Sequence, residues 1–145
     1  MSSNWQKDVQ DFREKCGLGV NYSPSVPSED TIRLDLDLIR EEVTKELIPV
    51  LERLANKGTW DSQDFVKDLA ELADALADSI YVIHGTAVGF GIQLQPIWDS
   101  IQEANMKKFG GPVRGDGKIL KPEGWKHPDV KKLIEEQFNV PKSSF

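Results

Sequence analysis

Apolar residues recur at three- and four-residue spacing along most of the chain, and glycines and prolines separate these periodic segments. Such spacing is typical of amphipathic helices. It predicts helices over residues 4–15, 30–57, 62–88, 94–107 and 128–138. Since no segment alternates apolar and polar residues as a strand would, we predict an all-α fold. Four main helices would form a bundle-like arrangement, followed by a C-terminal loop and a short helix.

The same spacing indicates which side chains should form the core. In the first helix, Trp5, Val9 and Phe12 are expected to point inward. The stripe predicted for the second helix consists of Leu36, Ile39, Val43, Leu47, Val50 and Leu54, and that for the third of Leu69, Leu72, Leu76, Ile80 and Ile83. Pro49 lies inside the second segment, where its missing N–H should kink or divide the helix.

Short polar residues, glycines and prolines mark the expected helix ends. Residues expected at helix starts are Ser28 as an N-cap, Asp61 or Ser62 as the next one, and Pro128 in the first turn of the last helix. The glycines of residues 85–91 should end the third helix, which makes His84 a structural or C-cap residue. The tail after Pro141 is expected to fray.

Length and composition narrow the class of protein. With 145 residues, we predict one domain over 1–145, with a core at about 28–108 and a loop and terminal helix at 109–138. Residues 109–127 are a long glycine-rich loop, and such loops are usually functional or disordered. No apolar run reaches the roughly 18 residues of a membrane span. Without an apolar signal sequence, and with Cys16 as its single cysteine, the chain is expected to be cytoplasmic.

Charge is distributed unevenly along the chain. The net charge is −6, which argues against a protein that coats nucleic acid. Residues 1–100 hold 9 basic against 18 acidic side chains, and residues 101–145 hold 9 against 6. An acidic body of this kind can bind a metal and a basic end can bind an anion, although charges that merely solvate helices give the same totals.

Two acidic clusters fall on neighbouring predicted helices. Glu42 and Glu46 share one face of the second helix, and Glu71, Asp74 and Asp78 share a face of the third. If the helices pair antiparallel, these faces can meet, and a hard divalent cation such as Mg²⁺ or Mn²⁺ would offset the repulsion between carboxylates. The alternative is that both faces are simply solvated.

Four segments together resemble a known superfamily. They are LIREEV (38–43), ALADSIYVIHG (75–85), GIQLQPIWDSIQEANMKK (91–108) and DGKILKPEGW (116–125). In this order they resemble the MazG-like and phosphoribosyl-ATP pyrophosphohydrolase-like all-α nucleoside triphosphate pyrophosphohydrolases. The basic loop looks most like that of the small MazG-like proteins that include dimeric enzymes acting on dUTP.

The resemblance implies a set of metal ligands. Its pattern, Glu-Glu-x-x-Glu and then Glu-x-x-Asp, places carboxylates on Glu41, Glu42 and Asp78, whereas Lys45 and Ala75 stand where two more would be. Each gap has an acidic neighbour one residue away. If Glu46 and Asp74 compensate for the two gaps, the ligand set is Glu41, Glu42, Glu46, Asp74 and Asp78. The alternative is loss of activity, with Lys45 in the space of a missing metal ion or in contact with a phosphate.

The resemblance also implies a reaction. Water would attack between the α- and β-phosphates of a (deoxy)nucleotide such as dUTP, with Mg²⁺ (or Mn²⁺) as cofactor and Glu42 as the base. Residues expected to contact the substrate are Asn105, Lys108, Lys118, Lys121 and Trp125. Trp125 would either cover the base or anchor the loop. The loop can serve its own active site or that of a second chain.

Other functions fit the same sequence. A catalytically inactive relative could bind a nucleotide without turnover, and a helical interaction protein could carry the same acidic faces. The expected partners are a nucleoside triphosphate and further copies of the chain, in a homodimer or homotetramer, with neither nucleic acid nor membrane. An assay for turnover of a panel of nucleotides distinguishes the enzyme from both the inactive nucleotide-binding protein and the helical interaction protein.

Overall fold

The computed structural model describes residues 4–58 and 64–138. Its helices are α1 (Trp5–Cys16), α2 (Glu29–Ile39), a π-helical segment (Arg40–Leu47), α3 (Ile48–Ala55), α4 (Asp64–Phe90), α5 (Leu94–Met106) and α6 (Val130–Gln137). Within the described ranges there is no strand, and one isolated antiparallel bridge joins Val113 to Ile119 in the long loop. The predicted all-α class is confirmed. The proposed caps Asp61 and Ser62 and the tail after Pro141 lie outside the described residues.

The second predicted segment is one helical rod with a change of winding in its middle. The Ser28 hydroxyl accepts a hydrogen bond from the Thr31 N–H at 3.3 Å, which confirms Ser28 as the N-cap. The π-helical segment ends two residues before Pro49, which lies in the first turn of α3. Because proline cannot donate a backbone hydrogen bond, the wider π turn accommodates it without breaking the rod. The division predicted at Pro49 is therefore a change of winding between Leu47 and Ile48 and not a break in the helix.

Helix α4 ends within the glycine segment 85–91, as predicted, but only at the last of its three glycines. It continues through Gly85 and Gly89 to Phe90 and stops at Gly91, whose φ is +66°. A Cβ on Gly85 would lie 3.1 Å from Arg13 Nη1, and a Cβ on Gly89 would lie 3.1 Å from Asp35 Oδ2. The two glycines thus leave space for neighbouring side chains and do not break the helix. His84 is consequently inside the helix, and the C-cap reading of this residue is wrong.

A buried ion pair joins α1 to α2 against α4. Arg13 Nη1 lies 2.8 Å from Asp35 Oδ1, and both side chains are only 3% exposed. Arg13 Nε also donates to the Gly19 carbonyl at 2.9 Å. The buried apolar residues of the described ranges are Val9, which is 2% exposed, together with Ala75, Ala87, Val88 and Ala104, and none of them is larger than valine. This charged pair is therefore part of the small buried core of the single chain.

Much of the predicted core lies on the surface of the single chain. Trp5 and Phe12 are exposed and do not point inward as Val9 does, and Leu36 is exposed in α2. On α4 the exposed residues of the predicted stripe are Leu69, Leu76, Ile80 and Ile83. Helix α4 instead buries Asp68, Ala75 and Ser79. The apolar stripe of α4 is thus an outer face, about 100° around the helix from the face that packs within the chain.

Two glutamines hold the sharp turn between α4 and α5, where the chain bends by 118°. From α1, the Gln6 amide donates to the Ile92 carbonyl and accepts from the Leu94 N–H. From α6, the Gln137 amide makes the same two-point contact with the backbone of Gln93, at 2.8 and 2.9 Å. Helix α5 packs mainly on α6 and not along α4. Its direction is therefore determined largely by hydrogen bonds at its first residues.

The last helix begins later than predicted. It starts at Val130, where the Asp129 carboxylate accepts a hydrogen bond from the Lys132 N–H at 3.1 Å. Pro128 therefore precedes the helix and does not occupy its first turn. None of the described helices is by itself long and apolar enough to cross a membrane; α4 and α5 meet a length and composition criterion only as a bent pair.

Asp68 should make the stability of this fold depend on acid pH. Its buried carboxylate accepts hydrogen bonds from Lys57 and from Arg53 Nη1, and these contacts lower the pKa of Asp68 below its ordinary value. A lowered pKa stabilises the fold above the ordinary carboxyl pKa, and this contribution disappears as pH falls through the lower, folded value. We expect Asp68→Asn to reduce the urea midpoint at pH 7 and to differ less from wild type below about pH 4.

The matched control is Asp11→Asn, because Asp11 pairs with Lys7 on the exposed face of α1. Its urea midpoint should move much less at pH 7, since exposed pairs contribute little. An equal effect of Asp68→Asn at pH 3 and pH 7 would contradict the assignment.

Candidate active site

The acidic residues of the two predicted clusters meet at one cavity of about 550 Å³ between the π-helical segment and α4. Its lining consists of Glu41, Glu42, Lys45, Glu46, Val50, Glu71, Asp74, Ala75 and Asp78. The structure therefore places all five carboxylates that were expected as metal ligands on the lining of one cavity.

The π-helical segment presents its charged residues to this cavity. Glu41, Glu42, Lys45 and Glu46 all line one side, because residues at i, i+1, i+4 and i+5 share one side of a helix. The segment lies close to α4, because the Ser79 hydroxyl donates to the Glu42 carbonyl at 3.3 Å and Ala75 presents only a methyl group. The small residue at position 75 thus permits the close approach of the two elements.

The cavity is strongly negative. Six carboxylates line it, and Lys45 is the one basic side chain among the lining residues. Burial raises the pKa of Glu42, and the charges of Asp78, Glu46, Glu41 and Asp74 add to this increase. A nearby cation would lower the energy of this arrangement.

Two of the charged lining residues differ in their partners. Glu71 forms an ion pair with Arg53 of α3, so its charge is already compensated. Lys45 lies within ion-pair distance of no carboxylate in the described part of the chain. Its ammonium group therefore does not substitute for a metal ion by binding the carboxylates directly.

The donor set suits a hard divalent cation, which prefers carboxylate oxygens. The side chains do not stand as a ready cage, since no three acidic, histidine or cysteine side chains in the described ranges are grouped closely enough to hold one ion. Glu41, Glu42, Glu46, Asp74 and Asp78 would have to turn toward a common centre. Their position on the lining of an open cavity would allow such a rearrangement, and the uncompensated charge around Glu42 would favour it when a cation enters.

Four of the five predicted substrate contacts gather at the end of α5. Lys108 Nζ lies 4.9 Å and Lys121 Nζ 5.0 Å from the centre of the Trp125 ring. Asn105 Oδ1 accepts a hydrogen bond from Lys108 at 2.9 Å, and the Trp125 indole donates to the Ala104 carbonyl at 2.6 Å. Lys118 does not join this group; its described polar contacts are made by its backbone, near the tip of the loop.

His127 is the residue of this group that sequence reasoning missed. Its ring packs edge-on against Trp125 with centroids 4.7 Å apart, and its Nε2 lies 2.9 Å from Lys121 Nζ. In the sequence, the only signal is the pair of residues Trp125 and His127 two positions apart in a loop. Such a pair has no fixed geometry until the loop is folded, so the sequence offered no basis for selecting it.

Comparison with known proteins places this architecture in a family. The family model for phosphoribosyl-ATP pyrophosphohydrolase matches residues 9–105, which include most of α1 and the whole of the π-helical segment and α4. An uncharacterized protein of Acanthamoeba polyphaga mimivirus is 31% identical over 108 residues, which cover 72% of this chain and 36% of that protein. The chain thus spans about a third of the length of this relative. It belongs to the phosphoribosyl-ATP pyrophosphohydrolase family, within the MazG-like all-α superfamily of nucleoside triphosphate pyrophosphohydrolases.

Proposed function

We propose that this protein is a divalent-metal-dependent nucleoside triphosphate pyrophosphohydrolase, which cleaves the α–β phosphate bond of a (deoxy)nucleotide to a monophosphate and pyrophosphate. The observation that carries the proposal is the cavity with six carboxylates, formed by the segments that the family model covers. Among substrates, dUTP is the first to test, because the basic loop resembles that of dUTP-cleaving relatives.

The residues lining the cavity would have separate roles in metal binding, proton transfer and phosphate contact. The carboxylates of Glu41, Glu46, Asp74 and Asp78 would hold Mg²⁺ or Mn²⁺, which when bound neutralises charge on the phosphate oxygens. Glu42 would orient the attacking water and accept its proton, since burial raises its pKa and so makes it a better proton acceptor than an ordinary glutamate. Lys45 is positioned on the same cavity to contact a phosphate oxygen.

The basic group on α5 and the loop would bind the rest of the substrate. Asn105, Lys108 and Lys121 present polar groups around Trp125, whose N–H is already used in anchoring the loop to α5. We therefore propose phosphate and sugar contacts for these residues. Lys118, which lies apart from them, would contact the substrate only if the loop closes.

Turnover of a substrate panel tests the proposal directly. Purified protein is incubated with each common NTP and dNTP, including dUTP, in Mg²⁺ or Mn²⁺, and products are separated by ion-exchange chromatography. A monophosphate and pyrophosphate in equal amounts are expected from at least one substrate. If no nucleotide is cleaved, the enzyme proposal fails. Thermal shifts with nucleotide and metal then distinguish an inactive nucleotide-binding protein from a helical interaction protein.

We also propose that the chain works as a homodimer or homotetramer. The isolated chain exposes 10368 Å², whereas a monomer of its mass, 16.3 kDa, exposes about 7,500 Å² by size scaling. Even a third of this difference exceeds the roughly 800 Å² that each partner buries in a standard interface. The outer face of α4 continues into an apolar groove of about 450 Å³ beside α1, which includes Trp5 and Leu76. A second copy is the occupant that this surface favours.

Substitution of Ile80 by glutamate should separate the copies. Ile80 lies in the middle of the outer face of α4, and a buried charge without a partner is unfavourable at an interface. Multi-angle light scattering should give a multiple of 16.3 kDa for the wild type and a lower mass for Ile80→Glu. The control is Val26→Glu, in an exposed loop, which should keep the wild-type mass. A single 16.3 kDa species for the wild type would refute the oligomer.

A further inference from the structure

The basic group at the end of α5 contains two lysines that no carboxylate neutralises. Neither Lys108 nor Lys121 forms an ion pair with any described acidic residue. By contrast, Lys107, the residue before Lys108, pairs with Glu103. Both ammonium groups instead lie against one indole ring. Since each Nζ is within about 5 Å of the same ring centre, the two ammonium groups are at most about 10 Å apart, a separation that the oxygens of one polyphosphate chain can bridge.

Two cations held near each other repel, so their positions require support. Lys108 is held by the Asn105 side chain on α5, which accepts its hydrogen bond. Lys121 belongs to the loop and has no such helical neighbour. Its contact is His127 Nε2, at 2.9 Å. Because a lysine ammonium group can only donate, this contact requires a neutral imidazole that carries its proton on Nδ1.

The His127 ring is itself fixed by the loop. It packs edge-on against Trp125, and the Trp125 indole donates to the Ala104 carbonyl of α5. The chain of contacts thus runs from rigid α5 through Trp125 and His127 to Lys121. His127 can therefore fix the position of the Lys121 ammonium group without itself contacting a ligand.

We propose that His127 is a positioning residue, which holds the Lys121 ammonium group beside Trp125 so that Lys121 and Lys108 form one binding site for the phosphate chain of the substrate. This inference rests on the proposed function for the identity of the substrate. It also assigns Trp125 to the support of the two lysines, since both approach its ring and its N–H is bound to α5. Stacking of a nucleobase on this ring is therefore not expected.

The test measures binding of inorganic pyrophosphate without metal, by calorimetry, and separately the KM and kcat of whichever nucleotide is cleaved. His127→Leu, which removes the acceptor, should weaken pyrophosphate binding and raise KM by about tenfold with kcat unchanged. His127→Gln keeps an acceptor and should restore both to within about twofold. Lys131→Met, which removes an exposed charge on α6, should leave both at wild-type values.

The outcomes separate this inference from the proposed function. If His127→Leu leaves pyrophosphate affinity and KM unchanged while its melting temperature equals that of wild type, His127 does not position Lys121 and the inference is wrong. If His127→Gln is as weak as His127→Leu, the acceptor is not the cause and the inference is also wrong. If no nucleotide is cleaved but pyrophosphate binding still depends on the acceptor at position 127, the enzyme proposal fails and the inference stands.

Discussion

Asp78→Asn is expected to reduce kcat for the preferred nucleotide by at least about 100-fold, since it removes one charged ligand from the cation site. Asp78 lines the acidic cavity and contributes, after burial, the largest share to the raised pKa of Glu42. Asparagine keeps the size of the side chain and removes its charge. The loss should therefore appear in turnover and in the Mg²⁺ concentration needed for half-maximal rate, while the fold is retained.

Steady-state rates over a Mg²⁺ and Mn²⁺ titration measure this effect. The control is Asp99→Asn, because Asp99 is an exposed carboxylate on α5 that accepts a hydrogen bond from Gln95 and does not line the cavity. Its kcat should remain within about twofold of wild type. A near-normal rate for Asp78→Asn would mean that the cation is held elsewhere.

Asp35→Asn is expected to lower the free energy of unfolding by about 3 kcal/mol, because it leaves the buried Arg13 charge without its partner. The environment cannot easily relax. Arg13 Nη2 and Asp35 Oδ2 already have no hydrogen-bond partner among the described residues, and Gly89 of α4 lies close to both atoms. An uncompensated charge at this point would separate α1 and α2 from α4.

Urea unfolding at one fixed protein concentration measures the change, since an oligomer makes stability depend on concentration. The matched control is Asp37→Asn, two residues along α2, where the carboxylate is 67% exposed and lies 3.7 Å from Arg40. Its effect should stay below about 1 kcal/mol. Equal effects of the two substitutions would show that the buried pair contributes no more than a surface contact.

The spacing of the acidic residues along the chain was enough to predict most of the acidic lining of the cavity. Glu42 and Glu46 recur at helical spacing, as do Asp74 and Asp78, and both pairs line the cavity. Local periodicity was sufficient here because each pair lies on a single helical element. The winding of the π-helical segment was beyond this reasoning, since it depends on how Pro49 and the contact of Ser79 with the Glu42 carbonyl are accommodated together.

Glycines show how a local rule fails when distant residues intervene. The segment 85–91 was expected to end α4, and its last glycine, Gly91, does so. Gly85 and Gly89 lie within the helix, although each lowers helix propensity in isolation. In the fold they face Arg13 and Asp35, from α1 and α2. The ion pair fits against α4 only because Gly85 and Gly89 have no side chains. The residues that require this space are distant in sequence, so local sequence patterns do not predict it.

The sequence by itself determined the all-α class, the start of α2 at Ser28, the division at Pro49 and the helices that carry the acidic residues. Each of these follows from interactions within a few residues. Only the tertiary structure decided which helix faces are covered. The stripe of Leu69, Leu76 and Ile80 looks like a core in sequence, yet this chain leaves it exposed, because α4 packs through Asp68, Ala75 and Ser79. Hydrophobic spacing identifies a face that must be buried, but the position of every other helix decides what buries it.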